Sequence, residues 1–149
     1  MKTREILIIG LFVLGQWSCS DDDFDDASIT TLNGTWKVAS FEDATTGKVE
    51  HKTQENSWGY DIVVSFDDTT DPKIFSGTVT TNSVTGEFDY VGTRQFKLLR
   101  YGSTMIGQPA WADKFGSAVL GENVTFKINN KQLRIYYDNH TKSVTLVRE

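Results

Sequence analysis

The chain of 149 residues has little of several residue types that small proteins use to fix a structure or to carry out chemistry. It contains one cysteine, Cys19, so an intramolecular disulfide is impossible and stability has to come from packing and strand pairing. Its two histidines, His51 and His140, have no second histidine or cysteine at the spacing of a metal site. A Walker loop, a nucleophile elbow and a zinc motif are also missing. The sequence therefore predicts a protein that is not an enzyme and holds no metal or cofactor.

A long hydrophobic run is missing as well. The longest apolar stretch, residues 6–14, has nine residues, whereas a membrane-spanning helix needs about 20. Lys2 and Arg4 precede this stretch, and Cys19 follows it after a small residue, Ser18. A basic segment, a short apolar segment and a small residue before the cut are typical of a secretory signal peptide, here residues 1–18. Cys19 at the cut resembles the first residue of mature bacterial lipoproteins; the alternative is a cut elsewhere, with Cys19 unmodified.

The lipoprotein resemblance implies a location and an anchor. Several acyl chains on Cys19 would hold the protein firmly to a membrane, since each buried CH₂ contributes about 0.8 kcal/mol. The expected location is the bacterial cell envelope, as an outer membrane lipoprotein facing the periplasm or the cell surface. Five aspartates follow within residues 21–26, and blocks of like charge are usually solvated. We expect residues 19–28 to be a lipidated cysteine with a flexible acidic tether, which either resembles the surface-export signal of Bacteroidota lipoproteins or is a plain spacer.

The remaining residues, 29–149, are enough for one hydrophobic core. From residue 28 onward the chain has 13 basic and 14 acidic residues, so this domain is nearly neutral. It offers no basic stripe, which argues against a nucleic-acid partner. We expect a single monomeric domain, with the acidity confined to the tether.

Apolar residues in this domain alternate with polar ones, which is typical of half-buried strands. The predicted strands are residues 35–41, 60–66, 73–81, 86–91, 95–101, 124–128, 133–137 and 143–147. In the fifth, Leu99 and Tyr101 face away from Phe96 and Leu98 or are separated from them by a bulge. Asn129 and Asn130 suit a tight hairpin turn because asparagine tolerates positive φ. The pattern predicts a mainly β fold, a small antiparallel barrel-like sheet of about eight strands.

One segment, residues 109–121, departs from the alternation. Trp111, Phe115, Ala118 and Val119 recur at helical intervals, with Pro109 at the start and Gly121 at the end. We expect one helix here, packed across an open end or a seam of the barrel.

Several motifs resemble the META domain, also called the HslJ-like domain. Residues 32–36 resemble its opening Leu-x-Gly-x-Trp, and residues 77–88 its central segment, with Phe88 in the aromatic place. Residues 103–105 resemble the stretch before its helix, and residues 126–133 its closing hairpin. The resemblance implies a lipocalin-like antiparallel barrel with one helix and roles in envelope stress, motility or drug tolerance, without an established catalytic activity.

Two polar features have alternative interpretations. Asp67, Asp68 and Asp71 loosely resemble a calcium loop, but the glycine and closing glutamate of that loop are missing, which favours solvated turn residues. Asn82 either contacts a ligand or bonds the backbone of a loop between strands, and the second interpretation is favoured.

Aromatic side chains are the candidate binding chemistry. Six of them are expected near the junction of helix and sheet, as core or, in part, as the lining of an apolar cleft. These are Trp36, Trp58, Tyr60, Tyr101, Trp111 and Phe115, of which Trp36, Trp58, Tyr101 and Trp111 form the candidate cleft. The polar residues 42–57, which include His51, would then be a mobile lip.

Two functions remain open. The first is a non-enzymatic, lipid-anchored envelope accessory protein that binds a partner protein or a membrane component. The second is a lipocalin-like carrier of a small apolar ligand, since small barrels can hold one ligand. A deep pocket in the barrel would favour the carrier, and a filled interior with an exposed apolar patch would favour the partner binder.

Overall fold

The computed structural model describes residues 25–149, so the predicted signal peptide, Cys19 and residues 20–24 lie outside the described residues. It has nine strands and two helices within that range. The strands are β1 (Gly34–Asp43), β2 (Lys48–His51), β3 (Ile62–Asp67), β4 (Lys73–Val79), β5 (Asn82–Gly92), β6 (Gln95–Ser103), β7 (Thr125–Ile128), β8 (Gln132–Tyr137) and β9 (Lys142–Arg148). The helices are α1 (Gln54–Ser57) and α2 (Ala110–Val119).

The strands form one antiparallel sheet that closes on itself. Its order is β2-β1-β3-β4-β5-β6-β7-β8-β9, and β1 also pairs with β9. Eight strands therefore complete a ring, while β2 extends β1 beyond it as a hairpin. The prediction of a small antiparallel barrel with a packed helix is confirmed.

Side chains on the inner face fill the barrel. Alternate residues of β3, namely Ile62, Val64 and Phe66, are buried, as the alternation in the sequence predicts. Phe66 lies at the centre of a phenylalanine cluster, with ring centroids 5.2 to 5.6 Å from those of three other phenylalanines, Phe75, Phe88 and Phe96. The interior is therefore packed with aromatic and aliphatic side chains.

A bulge between β5 and β6 decides which side chains of β6 face inward. Phe88 pairs with Leu98 and Glu87 pairs with Arg100, so Leu99 is an extra residue. Tyr101 consequently returns to the inner face, where its ring stacks on that of Phe75 at 6.3 Å. Of the two alternatives left open by the sequence, the bulge is the one observed. Gly86 is required beside it, because a Cβ there would lie 2.1 Å from the Arg100 carbonyl oxygen.

One end of the barrel, called here the entry end, lies where β1 begins at Gly34 and β9 ends at Arg148. Residues 25–33 cover it. The Asp26 amide donates to the Ile128 carbonyl oxygen at 2.8 Å, and Arg94 forms an ion pair with Asp25 at 3.2 Å. Residues 25–28, expected in a flexible tether, are thus bound to the barrel, because Arg94 and the open edge of β7 supply partners that the charge pattern did not show.

Tyr90 joins the covering segment to the barrel at the same end. Its hydroxyl accepts a hydrogen bond from the Leu32 amide at 2.7 Å and donates one to Asp68 at 2.8 Å. Burial raises the pKa of the Tyr90 hydroxyl above its ordinary value, so the group keeps the proton that it donates. Asp68 is therefore engaged by Tyr90, and Asp67 by the hydroxyl and amide of Thr69.

The opposite end, called here the helix end, lies where β1 ends and β9 begins. Helix α2 packs against β8, β9 and α1 there. Its four residues at helical spacing are buried as predicted, and the Trp111 ring meets that of Phe41 edge-on at 4.7 Å. Neither helix of residues 25–149 has the length and apolar character of a membrane span.

Two local expectations differ from the structure. Residues 42–57, expected to form a mobile lip, contain the β1–β2 hairpin and α1, whose Thr53 and Asn56 form a reciprocal capping box. The Asn129–Asn130 turn does not use positive φ; instead the Asn129 side chain accepts from the amides of Lys131 and Gln132. Another hairpin turn does use positive φ: Asp138, Asn139 and His140, between β8 and β9, all have it.

Candidate functional site

The four residues of the predicted aromatic cleft do not form one cleft. Trp36 and Trp111 are fully buried, the first near the entry end and the second under α2 at the helix end. Trp58 follows α1 and is 51% exposed, and Tyr101 is half-buried on β6. Of the wider aromatic set, Phe115 is buried in α2, whereas Tyr60 precedes β3 and is 52% exposed. Which aromatics a barrel buries depends on its curvature and ends, and alternation alone does not specify these.

Trp36 is held in place by its neighbours. Its Nε1 donates to the Leu32 carbonyl oxygen at 2.8 Å, and the Arg148 guanidinium lies 4.2 Å from its ring centroid. Cation–π stacking of this kind contributes about 0.5 to 1 kcal/mol at exposed sites. Trp36 therefore closes the entry end. Trp111 is equally buried, but its Nε1 has no hydrogen-bond acceptor among residues 25–149.

A groove at the helix end has a different character. It lies between the last residues of β6 and one side of α2, and we call it the β6–α2 groove. Its volume is about 550 Å³. Tyr101 and Ser103 of β6 line one wall, and Ala112, Gly116 and Leu120 of α2 or its C-terminal cap line the other. Tyr101 is thus the one member of the predicted cleft placed at this groove.

The groove exists because β6 is much longer than its neighbour β7. Within the described residues the two strands share one register pair, Gln95 with Thr125, flanked by backbone bonds of Phe96 and Phe126. Residues 97–103 pair with β5 alone. The outer edge of β6 therefore carries backbone N–H and C=O groups without a strand partner. The one sequence signal for this feature is the unequal length of the two predicted strands.

Of the exposed large apolar side chains, Leu120 lines the groove, and three others lie on β6 or in the loop between β6 and α2. Leu99 is 59% exposed on β6, and Leu120 is 52% exposed at the C-terminal cap of α2. Met105 and Ile106, in the loop between β6 and α2, are 100% and 60% exposed. Leu120 therefore offers a binding partner an exposed apolar contact at the groove.

Asn82 holds the loop that borders this groove. Its side-chain amide donates to the Ile106 carbonyl oxygen at 3.0 Å and to Gln108 at 2.9 Å. Its carbonyl oxygen accepts from the Ile106 amide at 2.8 Å and from the Thr104 hydroxyl at 3.0 Å. An asparagine side chain has two donor and two principal acceptor positions, and all four are used. The interpretation of Asn82 as a structural residue is supported.

A second groove, on the other side of α2, has a volume of about 300 Å³. Three lysines line it, Lys48, Lys114 and Lys142, each with a carboxylate partner. Lys114 and Lys48 both bind Glu50, and Lys142 binds Asp138 at 2.8 Å. The hydrogen bond from Lys114 holds the pKa of the Glu50 carboxyl below its usual value. These pairs neutralise the groove and tie β2 to α2.

The two histidines lie apart from both grooves. His51 ends β2, and His140 lies in the β8–β9 turn with its Nε2 2.9 Å from the Thr125 hydroxyl. Among residues 25–149 no three histidine, aspartate, glutamate or cysteine side chains come together as metal ligands would.

Comparison with known proteins adds to the description of the fold. No family model and no curated protein matches the chain. The NMR structure of a protein from Burkholderia xenovorans is similar, with a TM-score of 0.64 at 15% identity over 100% of this chain and 98% of that one. The crystal structure of a DUF4847 family protein from Bacteroides vulgatus ATCC 8482 is also similar, with a TM-score of 0.58 at 13% identity over 78% of this chain and 93% of that one. These likenesses establish the fold. The META resemblance stays a prediction.

We predict that Asn82→Ala destabilises the protein and loosens the loop beside the groove. The substitution removes the hydrogen bonds that the buried Asn82 side chain makes with the 104–108 segment, each of which contributes about 0.5 to 1.5 kcal/mol. Chemical denaturation measures the loss. Ser83→Ala, at the exposed neighbouring position, is the matched control and should stay within about 0.5 kcal/mol. Equal stability of the two variants would contradict the structural role of Asn82.

Proposed function

We propose that the protein is a lipid-anchored accessory protein of the cell envelope that acts by binding a partner protein at the β6–α2 groove. The observation that carries this proposal is the β6–α2 groove itself, which is bordered by the exposed Leu120 and by the unpaired edge of β6. Asn82, considered as a ligand contact, and Asp68, considered as part of a calcium loop, both use their polar groups in structural hydrogen bonds.

The packed interior argues against the alternative of an apolar-ligand carrier. A carrier of the lipocalin type needs an open barrel lumen, whereas here Phe66 and three other phenylalanines occupy the centre. The grooves that flank α2 lie outside this core. A partner that stays on the surface fits this arrangement better than a ligand enclosed by the strands.

The first described residue, Asp25, and the proposed surface lie at opposite ends of the barrel. If Cys19 is lipidated, six peptide steps separate it from Asp25, a reach of at most about 20 Å. Asp25 is bound to Arg94 near the entry end, so the entry end lies next to the membrane. The groove at the helix end then faces away from the lipid, towards other envelope proteins.

We predict that Cys19→Ala abolishes anchoring without unfolding the domain. The acyl chains need the cysteine sulfur, whereas residues 25–149 contain the whole described barrel. Incorporation of labelled palmitate and membrane fractionation in the native bacterium measure the effect. Palmitate labelling that persists in Cys19→Ala, or membrane retention equal to that of the wild type, would contradict the anchor.

We predict that a photo-cross-linking amino acid at Leu120 captures a discrete protein partner in living cells. Leu120 borders the groove and is 52% exposed. The matched control is the same amino acid at Val91, which is 63% exposed on β5 near the entry end. The proposal expects a specific adduct from Leu120 that is absent from Val91. Identical adduct patterns at both positions, or none at Leu120, would overturn it.

A further inference from the structure

The free edge of β6 indicates how a partner can bind. In an antiparallel strand, successive residues direct their N–H and C=O groups to opposite edges. The Thr104 amide donates to the Ser83 carbonyl oxygen on the β5 side at 3.1 Å. By alternation, Ser103 and Tyr101 direct their backbone groups to the other edge, which has no strand partner within residues 25–149. That edge opens into the β6–α2 groove, which both residues line.

An unpaired edge of this kind accepts an extended segment. Backbone hydrogen bonds to a sheet edge provide affinity, and pockets for alternate side chains provide specificity. The wall opposite β6 includes the small residues Ala112 and Gly116, beside Asp113, Ser117 and Leu120. A Cβ added at Gly116 would meet nothing within 4 Å, so the space beside α2 is open to the side chains of an added strand. The lining also contains Gln108. Apolar side chains suit the part formed by Tyr101 and Leu120, and the Asp113 carboxylate disfavours acidic side chains inside the groove.

The charge on the outer face of β6 determines which side chains suit the outward face of an added strand. Lys97 and Arg100 are both exposed there, and β6 has no acidic residue. Each lies opposite an acidic residue of β5, Lys97 opposite Asp89 and Arg100 opposite Glu87. Arg100, 77% exposed, contacts Glu87 at 3.3 Å, whereas Lys97 makes no ion pair within the described part of the chain. Opposite charges on adjacent strands stabilise pairing, and like charges weaken it. An added strand with carboxylates on its outward face matches this surface, while a second copy of β6 would set basic side chains against each other.

We propose that the partner binds by strand addition: an extended segment of alternating apolar and acidic residues pairs with residues 97–103 of β6 in the β6–α2 groove. This inference rests on the proposed function, since it names how the partner of that groove is held. The apolar side chains enter the groove beside Gly116, and the acidic ones lie opposite Lys97 and Arg100.

The test uses three synthetic octapeptides, each capped at both ends and labelled with a fluorophore. The first alternates valine and aspartate, the second alternates valine and lysine, and the third is the first with N-methyl groups on alternate residues. Fluorescence polarisation measures their affinities for the protein. We expect the valine–aspartate peptide to bind at least about tenfold more tightly than the other two, because they lose the charge match or the edge hydrogen bonds. Equal binding of the N-methylated peptide, or no binding of the first, would overturn strand addition.

Two variants and one control variant locate the site at which the peptide binds. Gly116→Phe fills the groove and replaces a glycine inside a helix, so it should fold at least as well as the wild type. It should weaken the valine–aspartate peptide by at least about tenfold. Lys97→Glu should also weaken it, whereas Lys127→Glu, on the exposed face of β7, should not. Unchanged binding in Gly116→Phe, or equal effects of the two lysine substitutions, would place the peptide elsewhere and overturn the assignment.

The outcome separates the two proposals. If Leu120 cross-links a partner while the peptides fail to bind, the groove binds a partner by another mode and the strand inference alone is wrong. If the peptides bind at β6 while Leu120 captures no partner in cells, the edge accepts a strand but the proposed function is wrong.

Discussion

Closure of the barrel through β1 is the constraint on which the rest of the structure depends. This strand pairs with β3 from Gly34 to Lys37 and with β9 from Trp36 to Asp43. A bulge after Val38 shifts its register against β9. Its last four residues also hold β2. Because β1 joins the first and last parts of the chain, the ring can close with eight strands and bury its phenylalanine cluster. Within the described residues, backbone edges stay unpaired on the outer side of β2, which pairs with β1 alone, and where two neighbouring strands differ in length.

Neighbouring strands differ in length at the seam between β6 and β7, and the two ends of this seam differ in what covers them. At the entry end, β7 extends beyond β6, and Asp26 pairs with the Ile128 carbonyl oxygen along the exposed edge. At the helix end, β6 extends beyond β7, and α2 lies across the gap without pairing with the strand. The N-terminal segment thus covers one exposed edge, while the other stays open beside a groove. The candidate binding surface follows from this asymmetry.

The sequence predicts the elements much better than the surface. Alternation such as Ile62, Val64 and Phe66 identified the ring strands, and helical spacing identified α2, because both patterns record which side of an element is buried. The sequence does not predict β2, because a four-residue strand with one partly buried residue shows no alternation of apolar and polar residues. The aromatic cleft was not found as predicted: Trp36 and Trp111 lie in the core, and Trp58 is exposed. The β6 edge depends on register between strands, which no single segment encodes.

Hydrogen exchange of the β6 amides tests the central claim most directly. The register directs the Gly102 amide towards β5 and the Tyr101 and Ser103 amides towards the open edge. In the native state, amides in paired strands of a core open with far larger free energies than unpaired ones. The account predicts that Tyr101 and Ser103 exchange on the order of 100-fold faster than Gly102. Protection of Tyr101 and Ser103 equal to that of Gly102 would contradict the free edge, and with it the proposed binding surface.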